Sequence, residues 1–406
     1  MGTILYLGRN RPHSARFGRP DAAVTRVTGD WLTHPGTQTV LAVLTNGGHR
    51  AFLVGGCVRN ALIGAPVGDI DISTNATPDR VTELAESGGL RVVPTGIDHG
   101  TVTVIAHGQP HEVTTFRRDV ETDGRRAVVR FSDRIEDDAS RRDFTMNALY
   151  ADASGQVADP LNGLADLLAR KVRFIDDPAA RITEDHLRIL RFFRFHAWYG
   201  DPAQGIDPEG LAACAALADG IDQLSRERIG AEMLKLLAAP DPAPAIAAMT
   251  QAGVLARVMP GADPVTLAPL VHLENDRIAD PIRRLAALGG VGVDERLRLS
   301  RKDSARLKIL RDGIGDMMRP AELGWRHGAQ TATHILLLRA AILDRPISTA
   351  DLSDIAAGAA AVFPVSAADL MPGLTGPALG AELKRLERRW IDARFALSRD
   401  DLLNAP

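Results

Sequence analysis

The spacing of apolar and polar residues changes period partway along the chain. Ala51–Val54 is a short apolar run that ends in Gly55-Gly56, and Asp69–Ser73 alternates Asp-Ile-Asp-Ile-Ser with the two-residue period of a strand. Thr101–Ala106 and His111–Phe116 alternate in the same way and predict a hairpin across His107-Gly108-Gln109-Pro110. Pro35–Asn46 has helical spacing stopped by Gly47-Gly48, and Thr77-Pro78 opens another helix with a capping hydroxyl and a proline at its first position. Later segments carry the helical period: 180–200, 224–238, 241–257, 279–288, 294–312, 331–343 and 378–397, separated by Gly and Pro breaks. The predicted class is α+β: a strand-rich head ending near residue 172, then an all-helical C-terminal half. No period of 20–50 residues marks a solenoid. Residues 1–27 hold arginines at 9, 11, 16, 19 and 26 but no apolar period, and are expected to form a loose extension.

Composition narrows the class. The chain has 406 residues, 45% of them apolar, enough for several buried cores and incompatible with a largely disordered or fibrous protein. Its longest apolar stretches, such as His334–Leu343, fall far short of the roughly 20 residues of a membrane span. Cys57 and Cys214 form neither a disulfide framework nor a zinc ligand set, so a cytoplasmic location is expected. The net charge of −3 argues against a protein that grips nucleic acid along its whole length. Locally the balance differs. Residues 170–199 carry seven Lys/Arg against four Asp/Glu, 296–311 seven against one, and 383–394 five against two. Nearly all of this positive charge is arginine, whose rigid fork suits phosphates and base edges, although a GC-rich genome is the simpler explanation of the bias.

Asp69 and Asp71 carry the sharpest chemical signal. Residues i and i+2 of a strand share a face, so the two carboxylates converge, and they repel unless a cation such as Mg²⁺ lies between them. Upstream, Leu53-Val54-Gly55-Gly56-Cys57-Val58-Arg59 reads as a strand, a glycine turn and a helix with arginine in its first turns. Glycines let a phosphate approach the backbone, so Gly55, Gly56 and Arg59 form a candidate phosphate cradle beside the metal pair.

Gly55-Gly56-x-Val-Arg59 followed by Gly68-Asp69-Ile-Asp71 resembles the signature of class II nucleotidyltransferases, the bacterial CCA-adding enzymes and poly(A) polymerases. Arg141-Arg142-Asp143-Phe144-Thr145-Met146-Asn147-Ala148-Leu149 is similar to that family's RRDFTxNAL block. Asp159-Pro160-Leu161-Asn162-Gly163-Leu164-Ala165-Asp166 is similar to its DPxNGxxD block, and Glu184 to Phe195 to its EDxxRxxRxxRF block. The resemblance implies a nucleotidyltransferase head with a mixed sheet (28–172), a helical neck carrying the nucleotide-selecting helix (173–260), a helical body (261–345) and a tRNA-binding tail (346–406). It implies that Asp69 and Asp71 hold Mg²⁺, with Asp143 favoured as a third acidic residue and Glu112 its rival. Nucleotide binding is expected at Gly55, Gly56, Arg59, Arg142, Asp185, Arg188, Arg191 and Arg194. His99 is expected to be structural.

Asp185 and Arg188 stand three apart and would share a face of a helix, a spacing that also describes an ordinary surface ion pair. Cytosine and adenine both present an amino donor beside a ring-nitrogen acceptor, whereas uracil and guanine present the reverse. A carboxylate with a guanidinium therefore accepts C and A and rejects U and G. The implied partners are the acceptor end of tRNA, with CTP and ATP as substrates and no obligate protein partner. Arg296–Arg311, Leu383–Arg394 and the Gly373–Pro377 loop are the candidate RNA contacts. Thr95-Gly96-Ile97-Asp98-His99-Gly100-Thr101 resembles the CCA-adding branch, and the basic stretch of the poly(A) polymerases is missing. Poly(A) polymerase and an inactive RNA-binding scaffold are the alternative readings; the intact carboxylates and the Asp185/Arg188 pair speak against the scaffold. No histidine precedes an aspartate, so no appended phosphohydrolase is expected, and no lysine follows a glycine as a Walker A loop requires.

Overall fold

The computed structural model describes residues 25–97, 100–122, 127–275 and 277–404. His99 and most of the expected N-terminal extension lie outside them. Its last residues are packed: Val27 is buried and donates its amide to the Gly155 carbonyl.

The strands are β1 (Ala51–Val54), β2 (Asp71–Thr74), β3 (Arg91–Gly96), β4 (Thr101–Ala106), β5 (Gln109–Thr115), β6 (Arg117–Thr122), β7 (Ala127–Phe131), β8 (Tyr150–Ala151) and β9 (Val157–Ala158). Seven form one sheet in the order β3-β4-β5-β2-β1-β8-β9, while β6 and β7 make a separate ribbon. Within the sheet only β2 and β5 run parallel, so the sheet is mixed as expected. The β4–β5 hairpin turns more tightly than the sequence suggested. Ala106 pairs with Gln109, leaving His107 (φ 50°) and Gly108 (φ 78°) as a two-residue turn whose left-handed backbone matches the twist of its strands. Along β4, Val102, Val104 and Ala106 are buried in alternation, and the helices Pro35–Asn46 and Pro78–Ser87 pack against this part of the sheet.

The chain divides into two units. The first runs through Arg188 and takes in Tyr199–Leu217 as well; the second holds Ile189–Trp198 and everything from Ala218 on. The first unit therefore reaches beyond residue 172: the helices Pro178–Glu184 and Pro208–Ala216 pack together within it. The expected helix over 180–200 is two helices, Pro178–Glu184 and Leu187–Tyr199, because Asp185 has an extended backbone (φ −154°, ψ 104°).

Past residue 172 the described residues hold only isolated bridges in place of strands. Within the second unit, Glu274 is buried and accepts from Arg283 Nε at 2.8 Å and Arg284 Nε at 2.9 Å. Arg284 also donates to the Leu237 carbonyl, which the end of the helix Arg226–Leu237 leaves without an intrahelical donor. A second core forms around Trp390, whose ring lies 4.7 Å from Phe395 and 5.3 Å from Phe363.

His334 is buried, and Arg306 Nη2 lies 2.9 Å from its Nδ1, a contact that uses the ring nitrogen as acceptor and so requires neutral imidazole. Burial, aided by the neighbouring arginines, pushes its pKa down from the usual 6.5 to about 4. As pH falls through that interval the unfolded chain takes up a proton that the folded chain does not. Stability is full above 6.5 and declines toward 4, by about 3 kcal/mol in total. Thermal unfolding measured across pH 4–7 should show this decline, and His334→Gln should flatten it.

Candidate active site

β2 positions the carboxylates. Asp71 is its first residue, paired with Val54 of β1 on one side and with Glu112 of β5 on the other. Asp69 lies in the bend just before the strand, exposed, so the alternation expected over Asp69–Ser73 becomes a bend leading into a strand. Burial raises the Asp71 pKa, the charges of Glu112 and Asp69 raise it further, and the Arg142 guanidinium opposes them. Negative charge is thus concentrated at one end of β2.

The glycine turn follows directly from β1. Because Val54 is the cross-strand partner of Asp71, Gly55 and Gly56 begin one residue from it. Gly55 has φ 71° and ψ −121°, which favours glycine, and a Cβ there would stand 3.5 Å from Arg142 Nη1. The Cys57 thiol packs beneath, and burial pushes its pKa up to about 11. Arg59 is itself buried. It donates to Asn147 Oδ1 at 2.5 Å and to the Tyr199 hydroxyl at 2.8 Å, with its guanidinium 4.1 Å from the Tyr199 ring centre.

The Arg141–Leu149 segment packs between these parts. Arg142 Nη2 donates to Ser73 Oγ at 3.2 Å and to Asp138 Oδ2 at 2.9 Å, and its Nε donates to the Tyr150 hydroxyl at 3.2 Å. Asp138 is fully buried, and its two arginine partners hold it well below the usual carboxylate range despite that burial. Sequence reasoning missed Asp138; the spacing Asp138-x-x-Arg141-Arg142, which puts both arginines within a helical turn of it, was the available signal.

Asp143, favoured above as the third acidic residue, directly follows Arg142 in this segment. It is buried; its Oδ1 accepts from Phe144 N at 2.9 Å and from Asn147 Nδ2 at 2.8 Å, so it orients the amide that in turn receives Arg59. Glu112 is the carboxylate in register with Asp71.

The DPxNGxxD-like block braces this segment. Asp159 accepts from the amides of Gly163 and Leu164, and Asp166 Oδ2 accepts from Thr145 Oγ1 at 2.6 Å and Arg173 Nε at 2.9 Å. A Cβ on Gly163 would stand 2.1 Å from the Thr145 carbonyl oxygen.

Asp185 caps the helix that follows: its side chain accepts from Leu187 N at 3.1 Å and its carbonyl from Arg188 N at 2.9 Å. The Arg188 guanidinium donates to Glu184 Oε2 at 2.6 Å and to the carbonyls of Arg181 (2.8 Å) and Arg141 (2.9 Å). Arg191 and Arg194 belong to the second unit. There Arg194 pairs with buried Glu232 at 2.5 Å, and both guanidinium groups lie over the Phe195 ring.

A family model described as the poly A polymerase head domain matches residues 51–173. Residues 205–266 match a second, described as "Probable RNA and SrmB- binding site of polymerase A". Residues 51–173 are thus similar to a nucleotide-polymerising head domain. CCA tRNA nucleotidyltransferase 1, mitochondrial, of Danio rerio is 32% identical over 374 residues, which cover 87% of this chain and 86% of that protein. The Homo sapiens protein of the same name is 41% identical over 203 residues, and the CCA-adding enzyme of Oceanobacillus iheyensis is 43% identical over 199. These two alignments span about half of the relatives' lengths, 47% and 48%. A crystal structure of the Bacillus stearothermophilus CCA-adding enzyme in complex with CTP matches with a TM-score of 0.71 at 26% identity, covering 88% of this chain and 92% of that one. The chain belongs to the family of CCA tRNA nucleotidyltransferases.

Gly163→Ala should cost about 1–3 kcal/mol of stability through overpacking against Thr145. Denaturant unfolding checks this, with Leu164→Ala, which leaves that approach open, as the comparison.

Proposed function

We propose that this protein extends the 3′ end of tRNA with CCA, using CTP and ATP and releasing pyrophosphate. The observation that carries the reading is the carboxylate-rich end of β2 lying directly beside the Gly55-Gly56 turn and Arg142, in a chain whose relatives bear this activity in their names. Asp69 and Asp71 are the proposed metal-holding pair, with Glu112 beside them. Among the described residues no three His, Cys, Asp or Glu side chains enclose an ion by themselves. The donors present, carboxylate oxygens at one end of β2, fit Mg²⁺, a hard cation commonly held by one or two carboxylates together with substrate phosphates and water. Bound there, Mg²⁺ supplies Lewis-acid neutralisation of the triphosphate and lowers the pKa of the attacking 3′-hydroxyl.

The remaining work is positioning. The open Gly55-Gly56 turn admits a phosphate to the backbone, and Arg142 Nη1 faces the same space. Arg59 is held by Asn147 and Tyr199 to flank the nucleotide. Asp185 and Arg188 read the base edge, with Glu184 and the carbonyls of Arg181 and Arg141 fixing the guanidinium.

The helical second unit supplies RNA contacts. Several arginines of the candidate surfaces are committed internally: Arg306 to Asp280, Arg311 to the Gly289 and Gly290 carbonyls, and Arg388 to Asp392 and Glu322. Exposed Arg296, Arg301 and Lys302 remain as the better contacts for a tRNA backbone. No described helix is long and apolar enough to cross a membrane, and both cysteines are unpaired and buried. A reducing compartment such as the cytoplasm accords with that reading.

The test is incubation with tRNA lacking its terminal CCA. CTP alone should add two residues, CTP with ATP should complete CCA, and Asp71→Ala should slow incorporation by about 10³-fold or more. Long A tails would assign the chain to the polymerase branch, and near-normal turnover by Asp71→Ala would remove β2 from the chemistry. Asp185→Ala should lower discrimination of CTP and ATP against UTP and GTP by about 10- to 100-fold, the scale of one bidentate base contact. Misincorporation assays with each single nucleotide measure it; unchanged selectivity would place base reading elsewhere.

A further inference from the structure

Arg142 stands between two acidic groups. On one side is Asp138, fully buried; on the other is Asp71, whose ionisation its charge favours. Asp138 accepts from Arg141 Nε at 2.8 Å, Arg142 Nη2 at 2.9 Å, the Tyr150 hydroxyl at 2.8 Å and Ser73 Oγ at 3.2 Å. Tyr150 closes a ring by accepting from Arg142 Nε while donating to Asp138. Two anchor points fix the guanidinium plane and leave Nη1 directed at the Gly55 turn. Ser73, the third contact, lies two residues beyond Asp71 on the same face of β2, so the guanidinium is held one step along the strand from the metal carboxylates.

That step matters because a guanidinium is a good surrogate for a cation between carboxylates: its fork binds them bidentately. An Arg142 without its anchors would be free to swing along the strand from Ser73 toward Asp71 and occupy the place a metal ion needs. We propose that Asp138 is a positioning residue that holds Arg142 at the phosphate cradle and off the Asp71–Glu112 carboxylates, so that the arginine and the metal do not compete. The role also links the two ends of the site. Arg141, the other arginine on Asp138, gives its carbonyl to Arg188, and Ser140 gives its carbonyl to Arg181 at 2.8 Å.

The inference rests on the reading that Asp69 and Asp71 hold the metal, and the experiment separates the two. Mn²⁺ binding to the full-length protein without substrate is followed by electron paramagnetic resonance, with thermal unfolding of each variant as the folding control. The wild type should show Mn²⁺ binding that Asp71→Ala removes. Asp138→Asn should weaken that binding about tenfold or more. The double variant Asp138→Asn/Arg142→Met should restore it, because the competing cation is gone. Tyr150→Phe, which removes one anchor and keeps the ion pair, should weaken binding by a smaller factor that Arg142→Met also reverses. This pair decides the matter should Asp138→Asn fail to fold. Wild-type binding by both Asp138→Asn and Tyr150→Phe would overturn the proposal. So would a loss that Arg142→Met does not reverse, since that is the signature of general damage. Absence of any Asp71-dependent Mn²⁺ site in the wild type would overturn the metal reading and this proposal together.

Discussion

Everything in the candidate site depends on one register, in which Val54, Asp71 and Glu112 lie side by side on β1, β2 and β5. Side chains along a strand alternate between faces, so a slip of one residue in either pairing would carry Asp71 or Glu112 to the opposite side. The β1 register sets the distance from the carboxylates to the glycine turn, because Gly55 follows Val54 directly. The β5 register sets the charge that Asp71 feels. Fully buried Ile72 and Ser73 and the cross-strand neighbour Val113 hold that register by packing. The site inherits its precision from the core beneath it.

Concentrating carboxylates at one end of a strand is unfavourable unless compensating charge is held nearby at a controlled distance. Compensation here is split. Arg142 lowers the cost of ionising Asp71, while buried Asp138 shares that arginine and limits how far its charge reaches. Removing one member of such a buried set would leave the others desolvated and unpaired, which is far costlier than the net worth of the pair. The Asp143–Asn147–Arg59 chain works in the same manner with hydrogen bonds: a buried carboxylate orients an amide, and the amide orients a guanidinium. In both cases an arginine of the candidate site is fixed by a buried carboxylate behind it.

What the sequence revealed follows from which features are local. The glycine turn, the Asp69/Asp71 spacing and the helix starts at Pro35 and Pro78 are set within a few residues, and each was legible. The position of Glu112 beside Asp71 was not, because the two become neighbours only through a parallel pairing of strands some forty residues apart in sequence. Asp143 is buried and accepts from Asn147, contacts that its place in the motif does not disclose. The break at Asp185 was hidden for another reason: apolar positions keep helical spacing straight through it, and only the cap to Leu187 N distinguishes one helix from two. Strands β8 and β9 have two residues each, too few for any period to show.

The arginines illustrate most clearly how charge in a sequence differs from charge on a surface. The segment 296–311 is strongly basic as written. In the folded chain Arg298 pairs with Glu227, Arg306 with Asp280, and Lys308 with Asp312, while Arg311 closes the backbone at Gly289 and Gly290. Arg283 and Arg284 are buried altogether, bound to Glu274, and Arg284 satisfies carbonyls at the end of a helix. Arginine's five donors make it suited to this internal role, and its cost in desolvation is offset only where carboxylate and carbonyl partners are arranged for it. A helical unit rich in arginine therefore spends much of its positive charge on its own architecture. The cations left facing outward, Arg296, Arg301 and Lys302 among them, sit on a framework that these buried and paired arginines hold in place.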